Sequence, residues 1–537
     1  LEKPVLHTAL VVVAVALAPP STAASTDLRK WFDDYRRGSV DLHQPVPAAI
    51  VVPVASDGAA GATEVRYCAT TAVDTLRAKV DAARTEDSLA AARVLVDLAT
   101  YQPIADAGEE RRRFVSRQPW LVRRLGQEGL TQLRDPAARD WLAKIALHDT
   151  DPLDGVRTRA VACHALGATM DAAYLEPLAG ALRDEAASVR AEAAVALGML
   201  GTPLALSALE AALADADDRV RLEALLAIDA ITIGKSELGE RRKSTLARAI
   251  GDAAWPIRLA AARMLRAGAD RGTIPILIDA LIAEAPGGVG RADARRRVRT
   301  QLRASLMELT GRDFPSDRSA DWAAWWKDVA GSFELDPSAV HTAVPEQGPR
   351  FFGIPLETDV VLFLIDGSGS MDRPAQGNDP PSRLFLAQFE LKRCLSALDP
   401  GTRFNIVVFN DDLAPFRPAP VAKDATTLRD ALEFVARIEA KGGTDLHQAL
   451  DFALGISDGG RTARARAEQI DTIVLLSDGV ASRGAVLLPE ELLAQTLAAN
   501  RSLQVALHGV NASTTPSVLL DRLSAACNGA TAALTSK

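Results

Sequence analysis

Residues 366–370 read Asp-Gly-Ser-Gly-Ser. A carboxylate and two hydroxyls stand at alternate positions with glycines between them, so three oxygens can turn toward one point. Hard divalent cations such as Mg²⁺ take oxygen ligands of this kind. The stretch follows an apolar run, Val360-Val-Leu-Phe-Leu-Ile365, which reads as a buried strand of a parallel sheet. Asp366, Ser368 and Ser370 are therefore expected at a strand's carboxyl end, where open α/β sheets hold ligands. Taken alone, the pentapeptide also suits a helix N-cap or a turn, because Asp and Ser favour both.

Two later stretches share this grammar. Lys441-Gly-Gly-Thr-Asp445 precedes an apolar-periodic helix (Leu446, Ala449, Leu450, Ala453, Leu454), and Thr472-Ile-Val-Leu-Leu-Ser-Asp-Gly479 is another buried strand. Here the chain resembles the von Willebrand factor type A (vWA) family, from about Thr358 to near its end. The metal-ion-dependent adhesion site of that family joins Asp-x-Ser-x-Ser to a loop Thr and a later Asp. The resemblance implies a metal set of Asp366, Ser368, Ser370, Thr444 and Asp478. It implies Mg²⁺, with Mn²⁺ or Ca²⁺ as alternatives, and a protein partner that offers an Asp or Glu oxygen to the ion. Only two carboxylates would offset the charge, so the ion stays electrophilic. Gly367 and Gly369 are expected to let the backbone fold tightly there. Asp372 and Asp445 read as a solvated loop acid and a first-turn helix acid.

The elements around these residues alternate. Helices are expected over 383–398, 428–438, 490–500 and 517–527, with strands over 403–409 and 503–509. That order implies a doubly wound sheet. Only residues 529–537 remain for the edge strand that usually closes the family's sheet, and their strand character is weak. The insertion Met371 to Ser382, with three prolines, is expected at the rim of the metal loop.

The middle of the chain repeats itself. Val189-Arg-Ala-Glu-Ala-Ala-Val-Ala-Leu-Gly198 recurs as Val220-Arg-Leu-Glu-Ala-Leu-Leu-Ala-Ile-Asp229 and as Ile257-Arg-Leu-Ala-Ala-Ala-Arg-Met-Leu265. The anchors Leu166, Leu197, Ile228 and Leu265 are spaced by 31, 31 and 37 residues. Each unit reads as two amphipathic helices that must stack to bury their apolar faces. The units resemble short HEAT repeats. Trp322, Trp325 and Trp326 share one helix face and are expected to cap the last repeat. The prolines at 337, 345, 349 and 355 mark a linker.

The expected order is an export signal over 1–24, a partly helical region over 25–85, HEAT-like repeats over 86–330, a linker over 331–355 and a vWA domain over 356–537. The fold class is thus an all-α HEAT-like solenoid followed by an α/β doubly wound, Rossmann-like vWA domain, of the bacterial secreted type. The export reading rests on Lys3, the apolar run Ala9 to Ala18 and the small residues before Ser25. Ten helical residues span about 15 Å, half a bilayer core, so a permanent membrane span is not expected. The placement implied is periplasmic, cell-surface or extracellular.

Net charge is −8 and gives no nucleic-acid footprint. The short Arg runs at 111–113 and 295–297 read as solvated helix faces. Cys68, Cys163, Cys394 and Cys527 form no C-x-x-C. Export would permit a Cys394–Cys527 disulfide, which spacing alone does not establish. His164 and His508 read as core or strand-end residues.

Three functions are in contention. The leading one is a metal-dependent protein-binding or adhesion module on a helical scaffold, without catalysis. A second is an adaptor for a separate ATPase, since the chain has no G-x-x-x-x-G-K-[ST] of its own. The third is a serine hydrolase using Ser368 or Ser370 with His447 or His508 and Asp478, although G-x-S-x-G is absent.

Overall fold

The computed structural model describes residues 24–36, 50–53, 63–66, 71–86, 88–101, 119–148, 155–285, 295–336, 341–375, 381–456, 470–478, 481–482, 484, 486 and 489–534. The expected export signal, Cys68 and the Arg run at 111–113 lie outside the described residues, Ala24 apart. The chain divides into two compact units, residues 1–42 with 69–141 and residues 43–68 with 142–537.

The first unit holds helices α1 (Ala24–Arg36), α2 (Thr71–Glu86), α3 (Leu89–Ala99) and α4 (Pro119–Leu130); the division falls inside α5 (Pro136–His148). Leu28, Trp31, Phe32 and Tyr35 bury one face of α1. Tyr101 meets Phe32 and Tyr35 edge-on at 5.3 and 5.5 Å. Ser88 caps α3 by accepting from the Ala91 N–H at 3.1 Å, which satisfies one of the helix's free donors.

The second unit opens with a small antiparallel pair, β1 (Ile50–Pro53) and β2 (Thr63–Arg66). Ten helices follow: α6 (Gly155–Ala168), α7 (Leu175–Ala181), α8 (Ala187–Leu200), α9 (Leu206–Ala212), α10 (Asp218–Thr232), α11 (Gly239–Ala249), α12 (Trp255–Arg266), α13 (Thr273–Ala283), α14 (Arg296–Thr310) and α15 (Ser319–Val329). The even-numbered helices α6 to α14 pack on one another in sequence. Small residues make this close approach feasible. A Cβ on Gly167 would lie 2.5 Å from the Ala196 Cα, and one on Gly198 would lie 3.0 Å from the Ala227 Cα. Both glycines follow the anchors Leu166 and Leu197, so one contact recurs with the repeat.

An arginine ladder also recurs. The Nε and Nη2 of Arg159 reach Asp184 at 2.6 and 3.0 Å. Those of Arg190 reach Asp215 at 2.7 and 2.9 Å, and those of Arg221 reach Asp252 at 2.9 and 2.8 Å. Arg258 Nε reaches Glu284 at 2.5 Å, with both side chains withdrawn from water (0% and 2% exposed). In the last three rungs Nη1 donates to backbone carbonyls of the preceding turn. Each acid thus ties one pair of helices to the next. Within the span expected for the repeats, Arg299 also stands in the ladder's register and donates from Nη1 to the Glu284 carbonyl at 3.3 Å. The tryptophan expectation holds in its core member. Trp322 is fully buried and meets Phe314 and Trp325 edge-on.

The span expected as a linker is anchored. Arg303 donates to the Phe314 and Val344 carbonyls at 3.0 and 2.8 Å. Glu346 accepts from the Ser316 N–H and Oγ at 2.6 and 2.9 Å. A hairpin of β3 (Arg350–Phe351) and β4 (Ile354–Pro355) puts Phe351 and Ile354 into the sheet domain's core.

The main sheet has β5 (Val360–Asp366), β6 (Arg403–Phe409), β7 (Leu413–Pro415), β8 (Val421–Ala422), β9 (Thr472–Ser477), β10 (Ala506–Asn511) and β11 (Thr531–Ala533). Their order is β11-β10-β9-β5-β6-β7, with β8 also on β6. The β11, β10, β9, β5 and β6 neighbours pair parallel; β7 and β8 pair antiparallel with β6. Helices α16 (Arg383–Ala397), α17 (Ala425–Ala436), α18 (Leu446–Leu454), α19 (Pro489–Leu503) and α20 (Val518–Ala526) complete it. Strands β5 and β9 are buried along their whole length, as expected for strands covered on both faces. The weak C-terminal segment forms a three-residue edge strand.

The Arg run at 295–297 is not a solvated face. The Arg296 N–H donates to Asp359 Oδ2 at 2.8 Å, and its side chain pairs with Asp399. Arg297 is partly buried, with Nε shut off from solvent. The first turn of α14 docks against the sheet domain, which periodicity could not reveal. Arg501 on α19 bonds Glu223 at 2.8 Å, and Gln504 accepts from Arg263 at 3.2 Å. Cys163, Cys394 and Cys527 are buried free thiols, so Cys394 and Cys527 form no disulfide.

Candidate metal centre

Strand β5 ends at Asp366, its neighbour β9 at Ser477 and its other neighbour β6 at Phe409. The chain leaves β5 with partners on both sides, so the Asp366 loop opens at a carboxyl-end crevice. Asp366 is fully buried. Its Oδ1 accepts from the Ser368 N–H at 2.8 Å and its Oδ2 from the Ser477 Oγ at 2.7 Å. The Ser368 and Ser370 hydroxyls lie 2.9 Å apart. Ser368 is buried, Ser370 half-buried and Gly369 exposed, so the loop faces water on the Ser370 side.

The Thr444 loop is stitched to this one. Gly369 N–H donates to the Gly442 carbonyl at 3.1 Å, and Lys441 N–H to the Gly367 carbonyl at 2.8 Å. Thr444 is buried; its N–H donates to Ser482 Oγ at 2.9 Å, and Ser482 N–H returns a bond to the Thr444 carbonyl at 3.0 Å. Ser482 follows shortly after Asp478, so Thr444 is bonded to the segment beyond β9 as well as placed beside the β5 loop. Gly367 owes its identity to space rather than to backbone hand: a Cβ there would lie 2.7 Å from Val408 Cγ1. Gly369 has no such neighbour, its nearest being the Gly442 carbonyl oxygen at 3.5 Å.

Charge marks the centre. Burial, and then the Asp478 carboxylate, push the Asp366 carboxyl up to about 6, against hydrogen bonds from Ser368 and Ser477. Two acids close enough to repel, one of them wholly buried, favour a cation between them. The donors are carboxylate and hydroxyl oxygens, the set that Mg²⁺, Mn²⁺ and Ca²⁺ accept. On these grounds the residues fit a hard divalent ion. Among the described residues, no three His, Cys, Asp or Glu side chains group as a metal centre.

Two neighbours escaped the sequence reading. Ser477, though part of the strand-ending Ser-Asp-Gly, fixes Asp366 directly. Arg383, the first residue of α16, places Nη1 3.5 Å from Asp478 Oδ2. Asp372 is exposed, as expected. Asp445 caps α18, accepting from the Gln448 N–H at 2.8 Å, yet burial raises its carboxyl to about 6. It is less solvated than a first-turn acid was expected to be. Among the described residues neither Ser368 nor Ser370 bonds a histidine, and His508 Nδ1 accepts from the Ala530 N–H at 3.0 Å. A nucleophile–base pair is therefore not assembled.

Residues 361–480 match the von Willebrand factor type A domain, and residues 154–229 match HEAT repeats. The chain carries a vWA domain behind a HEAT-repeat array. Inter-alpha-trypsin inhibitor heavy chain H4 of Homo sapiens is 30% identical over 151 residues, which is 28% of this chain and 15% of that protein. The Mus musculus counterpart is 27% identical over 154 residues, again 28% and 15%. The chain thus matches only a small part of these curated relatives. Among solved structures, a von Willebrand factor type A protein from Catenulispora acidiphila aligns at 23% identity over 33% of this chain and 38% of that one, with a TM-score of 0.26. A designed armadillo repeat protein aligns at 19% identity over 41% and 91%, with a TM-score of 0.27. Domains of both types generally serve as binding modules rather than catalysts. Among the described residues no helix is long and apolar enough to cross a membrane.

Proposed function

We propose that the chain is an exported, metal-dependent protein-binding module, held on a helical-repeat scaffold and placed in the periplasm, at the cell surface or outside the cell. Asp366, Ser368, Ser370, Thr444 and Asp478 would hold Mg²⁺, or Mn²⁺ or Ca²⁺ in its place. When bound, the ion supplies an electrophilic position for a carboxylate oxygen from a partner protein. The buried Asp366 anchors the set, Ser477 and the Ser368 N–H orient it, and the exposed Gly369 side leaves room for the incoming Asp or Glu. One observation carries this reading: a fully buried carboxylate, bonded to its own loop and to the end of β9 and facing a second acid, opens to water through paired serine hydroxyls.

Calorimetry of Mg²⁺ and Mn²⁺ with the whole chain tests it. Binding by the wild type, abolished in Asp366→Ala with the circular dichroism spectrum retained, is the expected result. A wild type that takes up neither ion would defeat the reading. Partner capture that survives a chelator would defeat its carboxylate-bridge element alone.

A further inference from the structure

Arg383 stands at the metal loop against Asp478, with no closed hydrogen bond to it among the described residues. Its side chain is 10% exposed and its Nη1 lies 3.5 Å from Asp478 Oδ2, longer than a good hydrogen bond. Its Nε is buried and has no hydrogen-bond partner among the described residues. The backbone holds the residue in place, since Arg383 N–H donates to the Arg373 carbonyl at 3.0 Å. The arginines of the ladder differ: Arg159, Arg190 and Arg221 each close Nε and Nη2 on both oxygens of one acid. Arg219, Arg297 and Arg299 also keep a buried Nε without a partner among the described residues, so what sets Arg383 apart is its place against Asp478 at the metal loop. A buried guanidinium with an idle Nε, aimed at one of two facing carboxylates, is poised rather than locked.

We propose that Arg383 is a tethered counter-cation of the metal loop, offsetting Asp478 when no ion is bound and opposing the ion's charge when one is. This rests on the metal site proposed above. Taken by themselves, Arg383, Asp366 and Asp478 sum to a single negative charge without the ion. A bound divalent ion inverts that sum to a single positive charge. One carboxylate from a partner then brings these groups to neutrality, with Asp372, Asp411 and Asp445 lying on or against the same loops. Arg383 therefore weakens divalent binding and reserves the loaded site for an anionic ligand. Without it, the two acids alone would neutralise the ion, and the demand for a third carboxylate would fall.

The test is Mn²⁺ calorimetry on the whole chain, comparing wild type, Arg383→Gln and Arg383→Lys, with thermal unfolding in chelator and in excess Mn²⁺ as a second readout. Arg383→Gln is expected to tighten Mn²⁺ binding by about tenfold or more, because a nearby positive charge is removed at low effective dielectric. Arg383→Lys keeps the charge and is expected to stay near the wild-type affinity. In chelator the Gln variant is expected to melt lower than the wild type, and Mn²⁺ to raise its midpoint by more. If Arg383→Gln does not fold, Arg383→Met takes its place with the same expectation. A folded neutral variant whose affinity equals or falls below that of the wild type overturns the counter-cation role and leaves the metal site standing. A wild type silent toward Mn²⁺ overturns role and site together.

Discussion

The repeat array and the metal loop use the same two residue types to opposite ends. In the array, arginine and acid meet as closed forks at 2.6–3.0 Å, and the remaining Nη1 of Arg190, Arg221 and Arg258 is absorbed by backbone carbonyls. In the loop, Arg383 and Asp478 stand 3.5 Å apart with an Nε left over. The acids respond accordingly. The Arg190 hydrogen bonds hold the Asp215 carboxyl below the usual aspartate range, whereas burial and Asp478 lift Asp366 to about 6. A closed fork fixes geometry; an open contact leaves the charges at the loop less tightly neutralised by each other.

The strongest way to break this contrast is at the innermost rung. Arg258→Met leaves the buried Glu284 with the Arg295 N–H but without its guanidinium and is expected to cost about 3–5 kcal/mol, read from the denaturant transition of the helical array. Adding Glu284→Leu should recover much of the loss. A loss under about 1 kcal/mol for the single variant would mean that the ladder is as loose as the loop. Next in size is Asp215→Ala, which removes charged hydrogen bonds worth about 1.5–3 kcal/mol. Its pH signature sharpens the comparison. Because the folded Asp215 titrates lower than an unfolded aspartate, its contribution is complete above the usual value of about 4 and fades as pH falls through the lower folded value. The wild-type advantage over Asp215→Ala should therefore hold at pH 6 and shrink toward pH 2.5. The smallest effect belongs to Arg437→Ala. The Arg437–Glu433 pair is 3.1 Å long and largely exposed (78% and 57%), and its loss should shift stability by about 0.5 kcal/mol or less.

Much of the sheet domain was legible because a strand covered on both faces must be apolar throughout. Val360–Ile365 and Thr472–Leu476 therefore announced themselves, and with them the strand-end positions of Asp366 and Asp478. The repeats were legible through apolar anchors, whose aligned series stops at Leu265 because Val298-Arg299 lies in a polar, Arg-rich context. What stayed hidden depends on side-chain reach. Nothing in local pattern joins Arg190 to Asp215, Ser477 to Asp366 or Arg383 to Asp478. The span at 331–355 looked like a tether because prolines break periodicity, yet Arg303 and Ser316 secure it through bonds that periodicity does not register. The Arg run at 295–297 misled for a related reason: charge density suggests solvent unless the acids it meets are known.

Arg299 occupies the ladder's final register, and of the carboxylates beyond the array that act on it, Asp359 acts most strongly and lies one residue before β5. The opposite end of that strand is Asp366. A seven-residue strand, about 23 Å long, thus runs straight from the last helical repeat to the loop where a ligand would be gripped. A pull applied at the loop end of β5 and resisted at the first turn of α14 would load β5 in shear against β6 and β9 along its length instead of peeling the sheet from its edge.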